Sequence, residues 1–325
     1  MTNFVEANWR LDDITMRGTL TLPAGDGPFP AVILVAGSGP TDRDWCSPLL
    51  IGHNGSGRLF AEAFANAGIA SLRYDKRASG PDAIESARAL FGKLSMRSHL
   101  EELVAAVSVL AGHDGVDAAR IAGLGNSEGT LHILHYATSR QDVPFAGIVL
   151  AAPPGRSVGE LLLAQLALQA TQVPDGAALM REVQAAAARY GHGHPMNVDP
   201  RLPDSVKMVL ASFESPANLP LARELWTENA AVDLSEVDIP TLILIGRKDL
   251  QVDATVDGSA LELAATGKDN VTFAYPENAN HVFKEEVRPL VEVLTSPDNG
   301  YNEDGTHLDP EALEAILGWL RGVFA

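Results

Sequence analysis

The stretch Arg120-Ile121-Ala122-Gly123-Leu124-Gly125-Asn126-Ser127-Glu128-Gly129-Thr130-Leu131-His132-Ile133-Leu134-His135 changes character at its middle. A run of β-branched and small residues leads into Gly-X-Ser-X-Gly at 125–129, and after Gly129 neither proline nor glycine occurs until Pro144. That order predicts a strand, a tight turn and a buried helix. A serine hydroxyl is a poor nucleophile at neutral pH, useful only when held clear of its own backbone beside a base. A Gly-X-Ser-X-Gly turn can hold it so, the glycines leaving room where strand and helix crowd together. The turn also feeds a helix N-terminus, so the unpaired N–H of Glu128 is expected to face the place where negative charge would develop. The competing reading makes Ser127 an ordinary helix cap in a Gly-rich turn, for which 29 glycines in 325 residues give ample opportunity.

Working outward, the chain alternates strands with helices. Residues 4–22 alternate polar and apolar positions and stop at Pro23-Ala24-Gly25, which predicts an antiparallel pair at a sheet edge. Pro30-Ala31-Val32-Ile33-Leu34-Val35 is a continuous apolar run, the mark of a strand covered on both faces, and it ends in the Gly-rich turn Gly37-Ser38-Gly39-Pro40. Such a turn exposes backbone N–H groups at a strand's carboxyl end, where open α/β sheets bind ligands. A helix over 58–67, a strand over 69–74, a helix over 98–111 and a strand over 145–151 follow. From 158 to 230 only helical signals appear. Strands return at 240–246 and 271–275, and a last helix runs from Pro310 to Phe324, its proline placed where a helix start prefers it. The prediction is an α/β fold with a mostly parallel central sheet and helices on both faces: residues 1–153 and 231–325 form the core, and 154–230 an inserted helical cap.

Composition narrows the function. With 46% hydrophobic and 20% charged residues the chain is globular. A net charge of -18 disfavours nucleic acid and anionic membrane surfaces as partners, because both repel a strongly negative protein. Cys46 is the only cysteine, which excludes an internal disulfide and a thiolate metal cluster. It sits in Trp45-Cys46-Ser47-Pro48 with no base signature nearby, a poor setting for a nucleophile. The N-terminus carries no basic segment followed by an apolar run, so a cytoplasmic location is expected. A homo-oligomer is compatible with this surface.

Two more loops fall at carboxyl ends of predicted strands, on the edge expected to hold Ser127. They are Gly246-Arg247-Lys248-Asp249 and Pro276-Glu277-Asn278-Ala279-Asn280-His281. A serine hydrolase needs a histidine to take the hydroxyl proton and a carboxylate to fix that histidine's tautomer. The chain order Ser127, Asp249, His281 satisfies this, with Asp253 and Glu277 as competing acids. His132 and His135 have metal-like spacing, yet on the helix behind the turn they are expected to pack, and no metal or cofactor is expected. His192 and His194 lie in a cap loop. Asp42, Arg43, Asp44, Asp75 and Arg77 are expected to hold neighbouring loops in place.

The pieces 37–44, Arg73-Tyr74-Asp75-Lys76-Arg77, 125–129 and Asn280-His281 resemble bacterial esterases of the dienelactone-hydrolase and prolyl-oligopeptidase-like groups of the α/β-hydrolase superfamily. The similarity covers nearly all of the chain outside the cap. It implies Ser127 as nucleophile, Asp249 as acid, His281 as base, and an oxyanion hole from the backbone N–H groups of Glu128 and Ser38. Many relatives have His-Gly where this chain has Ala36-Gly37, which leaves Gly37 and Ser38 competing for the second donor. The expected substrate is a small-molecule carboxylic ester. The same triad would serve a peptidase or thioesterase, and a non-catalytic receptor using the cap cavity is the reading from another class.

Overall fold

The computed structural model describes residues 2–139, 141–171, 173–295, 302–303 and 305–325. Strand β1 (Asn3–Leu11) turns into β2 (Ile14–Leu22), and β3 (Phe29–Val35) follows. Helix α1 (Ser56–Asn66) leads to β4 (Ala70–Tyr74), then α2 (Ala83–Ala89), α3 (Met96–Ala111), β5 (Val116–Asn126), α4 (Glu128–Thr138) and β6 (Gly147–Ala151). Between β6 and the next strand the described residues form helices α5 (Val158–Ala170), α6 (Gly176–Gly191), α7 (Asp204–Glu214), α8 (Leu221–Leu225) and α9 (Ala230–Leu234). Strand β7 (Thr241–Leu244), α10 (Val256–Ala264), β8 (Val271–Ala274), α11 (Leu290–Thr295) and α12 (Pro310–Val323) complete the chain.

The eight strands form one sheet in the order β1-β2-β4-β3-β5-β6-β7-β8. β1 and β2 pair antiparallel, β2 pairs antiparallel with β4, and all later pairings are parallel. The expected antiparallel pair is therefore at an edge, and β1 alternates exposed and half-buried residues along its length. In contrast every residue of β4, β6 and β7 is buried, and successive strand residues point to opposite faces, so helices must cover both sides. The core joins Ile33, Leu34, Leu72, Leu124, Val149 and Ile243 from the sheet to Phe60, Leu103, Leu131 and Ile316 from the helices. α12 begins as the sequence suggests, with Pro310 in its first turn and the Asp309 side chain accepting from the Ala312 N–H at 2.8 Å.

The helices between β6 and β7 carry a second apolar cluster of their own, built from Leu166, Met180, Val183, Tyr190, Leu210 and Trp226. Leu161, Leu221 and Leu225 from the same segment pack instead with the main core, and Leu94 and Leu221 share a backbone hydrogen bond of 2.7 Å. The segment thus packs on the main core through these leucines and also holds an apolar cluster of its own. No helix among the described residues is long and apolar enough to cross a membrane.

Candidate active site

Ser127 stands at the junction of β5 and α4 with φ 54° and ψ -122°. A side chain at positive φ is strained by about 1–3 kcal/mol and persists only where its surroundings hold it. They do so here. The Ser127 N–H donates to the Ala151 carbonyl at 2.9 Å, and its own carbonyl accepts from the Thr130 N–H at 2.9 Å and the Thr130 hydroxyl at 2.6 Å. The Ser127 side chain does not cap the helix, and a helix cap normally has extended backbone. Both observations set aside the ordinary-cap reading.

The two glycines of the turn answer to close approach. A Cβ on Gly129 would stand 2.5 Å from the Val35 carbonyl oxygen, and one on Gly125 would fall on the Gly129 carbonyl. Neither neighbour is a flexible side-chain end that could move aside. Gly125→Ala is expected to destabilise the fold by at least about 3 kcal/mol, because strand, turn and helix would have to part. Urea unfolding of the purified variant checks this, and a loss below about 1 kcal/mol would contradict it.

Two other loops bring polar groups to the same edge. The Asp249 side chain is fully buried after β7, and its Oδ2 lies 2.8 Å from His281 Nδ1. Its Oδ1 accepts from the N–H groups of Gln251 at 2.7 Å and Val252 at 3.0 Å, so the carboxylate is fixed from both sides. Asn280 shapes the loop after β8: its Oδ1 accepts from the Val282 and Lys284 N–H groups at 3.1 and 3.0 Å, which turns the chain tightly around His281. Asn126, the residue before the serine, donates from Nδ2 to the His281 carbonyl at 3.0 Å and ties this loop to the turn. The competing acids are occupied elsewhere. Asp253 Oδ1 accepts from the Thr255 and Val256 N–H groups at 2.8 Å each, and Glu277 is paired at the surface with Arg247.

The loop after β3 passes directly beside the turn, since a Cβ on Gly37 would stand 3.3 Å from Ser127 Cβ. Ser38 follows on the exposed side, with its carbonyl accepting from the Thr41 hydroxyl at 2.7 Å. Arg43 and Asp75 lock the β3 and β4 loops together through Nη2–Oδ2 at 2.7 Å and an Arg43 N–H to Oδ1 bond of 2.8 Å. Arg77 is buried on Glu102 with Nε–Oε1 at 2.7 Å. Asp75, Arg43 and Arg77 thus hold loops in place, as their clustering suggested.

No family model matches the chain. Esterase EstD of Thermotoga maritima is 26% identical over 312 residues, which is 95% of this chain, and the chain spans 66% of that relative's length. Among solved structures, the α/β hydrolase GrgF from Penicillium superposes with a TM-score of 0.57 at 18% identity, covering 100% of this chain and 99% of its own. An esterase of Pyrococcus furiosus gives 0.56 at 17% identity, covering 99% and 92%. The chain has the α/β-hydrolase fold.

Within this α/β-hydrolase fold the remaining histidines and the cysteine fall into place. His132 is buried against Glu128 with Nε2–Oε1 at 3.2 Å, and its ring lies 4.6 Å from that of His99. Burial pushes it down to about 4, so it is neutral at pH 7. His99 carries no companion signal in the sequence, yet its Nδ1 is 3.3 Å from Glu102 Oε2. His135 is half-buried between Glu228 and Asp233, and its hydrogen bond to Glu228 raises its pKa. His192 and His194 are exposed, and His192 Nδ1 donates to the Ala188 carbonyl at 2.6 Å. Cys46 does have an imidazole beside it, seven residues on in the chain: its Sγ is 3.2 Å from His53 Nδ1. Burial and the Asp42 carboxylate nevertheless push the thiol up, the wrong direction for a thiolate nucleophile. Cys46 and His53 line a cavity of about 510 Å³ between the loops that follow β3 and β4.

Proposed function

We propose that this chain is a serine esterase that hydrolyses carboxylic esters through an acyl-enzyme on Ser127. The observation that carries the proposal is an uncapped serine at φ 54°, on a turn tied by Asn126 to the loop that presents a buried Asp249–His281 pair. In this reading His281 takes the Ser127 proton as the hydroxyl attacks the ester carbonyl, and returns it to the departing alcohol. Water then enters and attacks the acyl carbon as His281 takes its proton; His281 returns that proton to Ser127 Oγ as the acyl–Oγ bond breaks and the acid leaves. Asp249, accepting from Nδ1, fixes the tautomer in which Nε2 carries the lone pair that takes the proton. The oxyanion of each tetrahedral intermediate is met by the N–H of Glu128 at the start of α4 and the N–H of Ser38. No cofactor takes part in these steps.

The 26% identity to a protein named an esterase supports the choice of ester over other acyl substrates. The helices of residues 154–230, with their separate apolar cluster, are assigned as a cap that contributes to the choice of ester.

The test is covalent labelling of the full chain with a fluorophosphonate, alongside turnover of p-nitrophenyl esters of increasing acyl length. Stoichiometric labelling at Ser127 with ester turnover is expected. Binding of an ester without labelling or turnover would sink the proposal and favour a receptor.

A further inference from the structure

Lys76 is a lysine with almost no access to water, its side chain being 3% exposed, and its two partners belong to the two arms of the proposed oxyanion hole. Its Nζ donates to the Gly37 carbonyl at 2.5 Å and lies 3.4 Å from Glu128 Oε1. The Gly37 carbonyl and the Ser38 N–H belong to one planar trans peptide, in which they point in opposite directions. Fixing the carbonyl therefore fixes the aim of the N–H, and a cation on the carbonyl oxygen also polarises the amide and strengthens its donor. Glu128, the second partner, supplies the other N–H from its own backbone.

We propose that Lys76 is a positioning residue for ester hydrolysis: a buried ammonium clamped between the Gly37 carbonyl and the Glu128 carboxylate, which aims both oxyanion donors. This inference rests on the esterase reading of Ser127.

The clamp also answers an electrostatic difficulty. A carboxylate one residue from the nucleophile would oppose an oxyanion forming nearby, and burial alone would push the Glu128 carboxyl up. The Lys76 ammonium and the His132 hydrogen bond overcome burial and hold it well below the usual carboxylate range. Glu128 is thus ionised, and its charge is met on the side away from solvent. From Glu128 the chain of contacts continues through His132, His99 and Glu102 to Arg77, the residue next to Lys76. A closed buried ring across the β4 loop, α3 and α4 therefore holds the ammonium where it is.

The experiment uses Lys76→Met, Lys76→Arg, Glu128→Gln and the Lys76→Met/Glu128→Gln pair, with p-nitrophenyl butyrate as substrate and a trifluoromethyl ketone as a tetrahedral mimic. Removing an oxyanion donor outright costs roughly 100- to 1,000-fold in kcat, so misaiming one is expected to cost about 10- to 100-fold in Lys76→Met, with KM within about twofold. Affinity for the ketone should weaken by about the same factor, which a merely structural role would not produce in a folded protein. Lys76→Arg should recover part of the loss. Lys76→Met should cost less when Glu128 is already Gln, because the uncompensated carboxylate is then gone. A folded Lys76→Met with unchanged kcat and ketone affinity overturns the clamp. Should that variant not fold, unchanged ketone affinity in both Lys76→Arg and Glu128→Gln overturns it equally. A wild type that takes up no fluorophosphonate and turns over no ester defeats the esterase reading itself; an active wild type beside an unaffected Lys76→Met defeats the clamp alone.

Discussion

Ser127→Ala is expected to remove ester turnover by about four to six orders of magnitude and to abolish fluorophosphonate labelling, while leaving stability within about 0.5 kcal/mol of wild type. The activity term follows from the role proposed for the hydroxyl: without it no acyl-enzyme forms, and what remains is catalysis by the oxyanion donors and binding alone. The stability term follows from the backbone. Alanine disfavours φ 54° as serine does, the backbone bonds at Ala151 and Thr130 are unchanged, and Oγ caps nothing that its loss would expose. Asp249→Asn is the companion change. An amide at this position can still accept from the Gln251 and Val252 N–H groups through its oxygen, but it then presents its NH₂ to His281 Nδ1. The imidazole is driven into the tautomer whose Nε2 is a donor, and kcat should fall by roughly 10,000-fold with the fold intact. Retained turnover in Ser127→Ala, measured on protein free of contaminating esterase, would remove the serine from the mechanism.

How much of this was legible in the chain depended on whether a feature is local. The turn at 125–129 was readable because a strand, two glycines and a helix must follow one another directly for the serine to be held as it is, and the observed φ agrees. The pairing of Asp249 with His281 was readable at one remove, since each directly follows an apolar strand run and the strands lie side by side. The short helices α2 and α11 were missed, because seven and six residues are too few to show a helical period. The buried ring was missed for a different reason. It unites residues 76 and 77, 99 and 102, and 128 and 132, whose contacts span as many as 52 positions and leave no periodic trace. Only its helical pairs, His99 with Glu102 and Glu128 with His132, had a spacing from which a contact could have been inferred. Lys76 and Arg77 stood in a motif whose charges looked functional, yet nothing in the sequence indicated that both side chains turn inward.

That ring makes Glu102 the position where a single change should cost the fold most among its charged residues. The Glu102 side chain is fully buried and accepts from Arg77 Nε at 2.7 Å, from the Arg77 N–H at 3.2 Å and from His99 Nδ1 at 3.3 Å. The Arg77 side chain is 2% exposed; its Nη2 also donates to the Ser98 carbonyl at 2.7 Å, and its Nη1 lies 3.5 Å from the carboxylate of exposed Asp12. Glu102→Leu fills the space but strands a guanidinium out of water, and truncating one member of a buried pair costs about 3–5 kcal/mol. The acid limb of the stability curve should change as well. Burial alone would raise the Glu102 carboxyl, but His99 and Arg77 draw it down to about 2 from 4.5. Its contribution is therefore complete above pH 4.5 and is lost as the pH falls toward 2, where the folded state must also take up the proton. His132, held neutral by burial with a pKa of about 4, adds a loss that begins higher, because the unfolded chain gains a proton from pH 6.5 downward. His135 runs the other way, its raised pKa favouring the fold below 6.5, so the two histidines oppose each other there, while below 4.5 the slope is set by Glu102 together with Glu128, both held below the usual carboxylate range. Urea unfolding of wild type and Glu102→Leu from pH 7 to pH 3 separates these terms. The wild type should lose stability most steeply below pH 4.5, and the variant, already weakened at pH 7, should show a shallower slope there. A variant within about 1 kcal/mol of wild type at pH 7, with the same acid slope, would mean that the ring's charges are balanced by water rather than by one another.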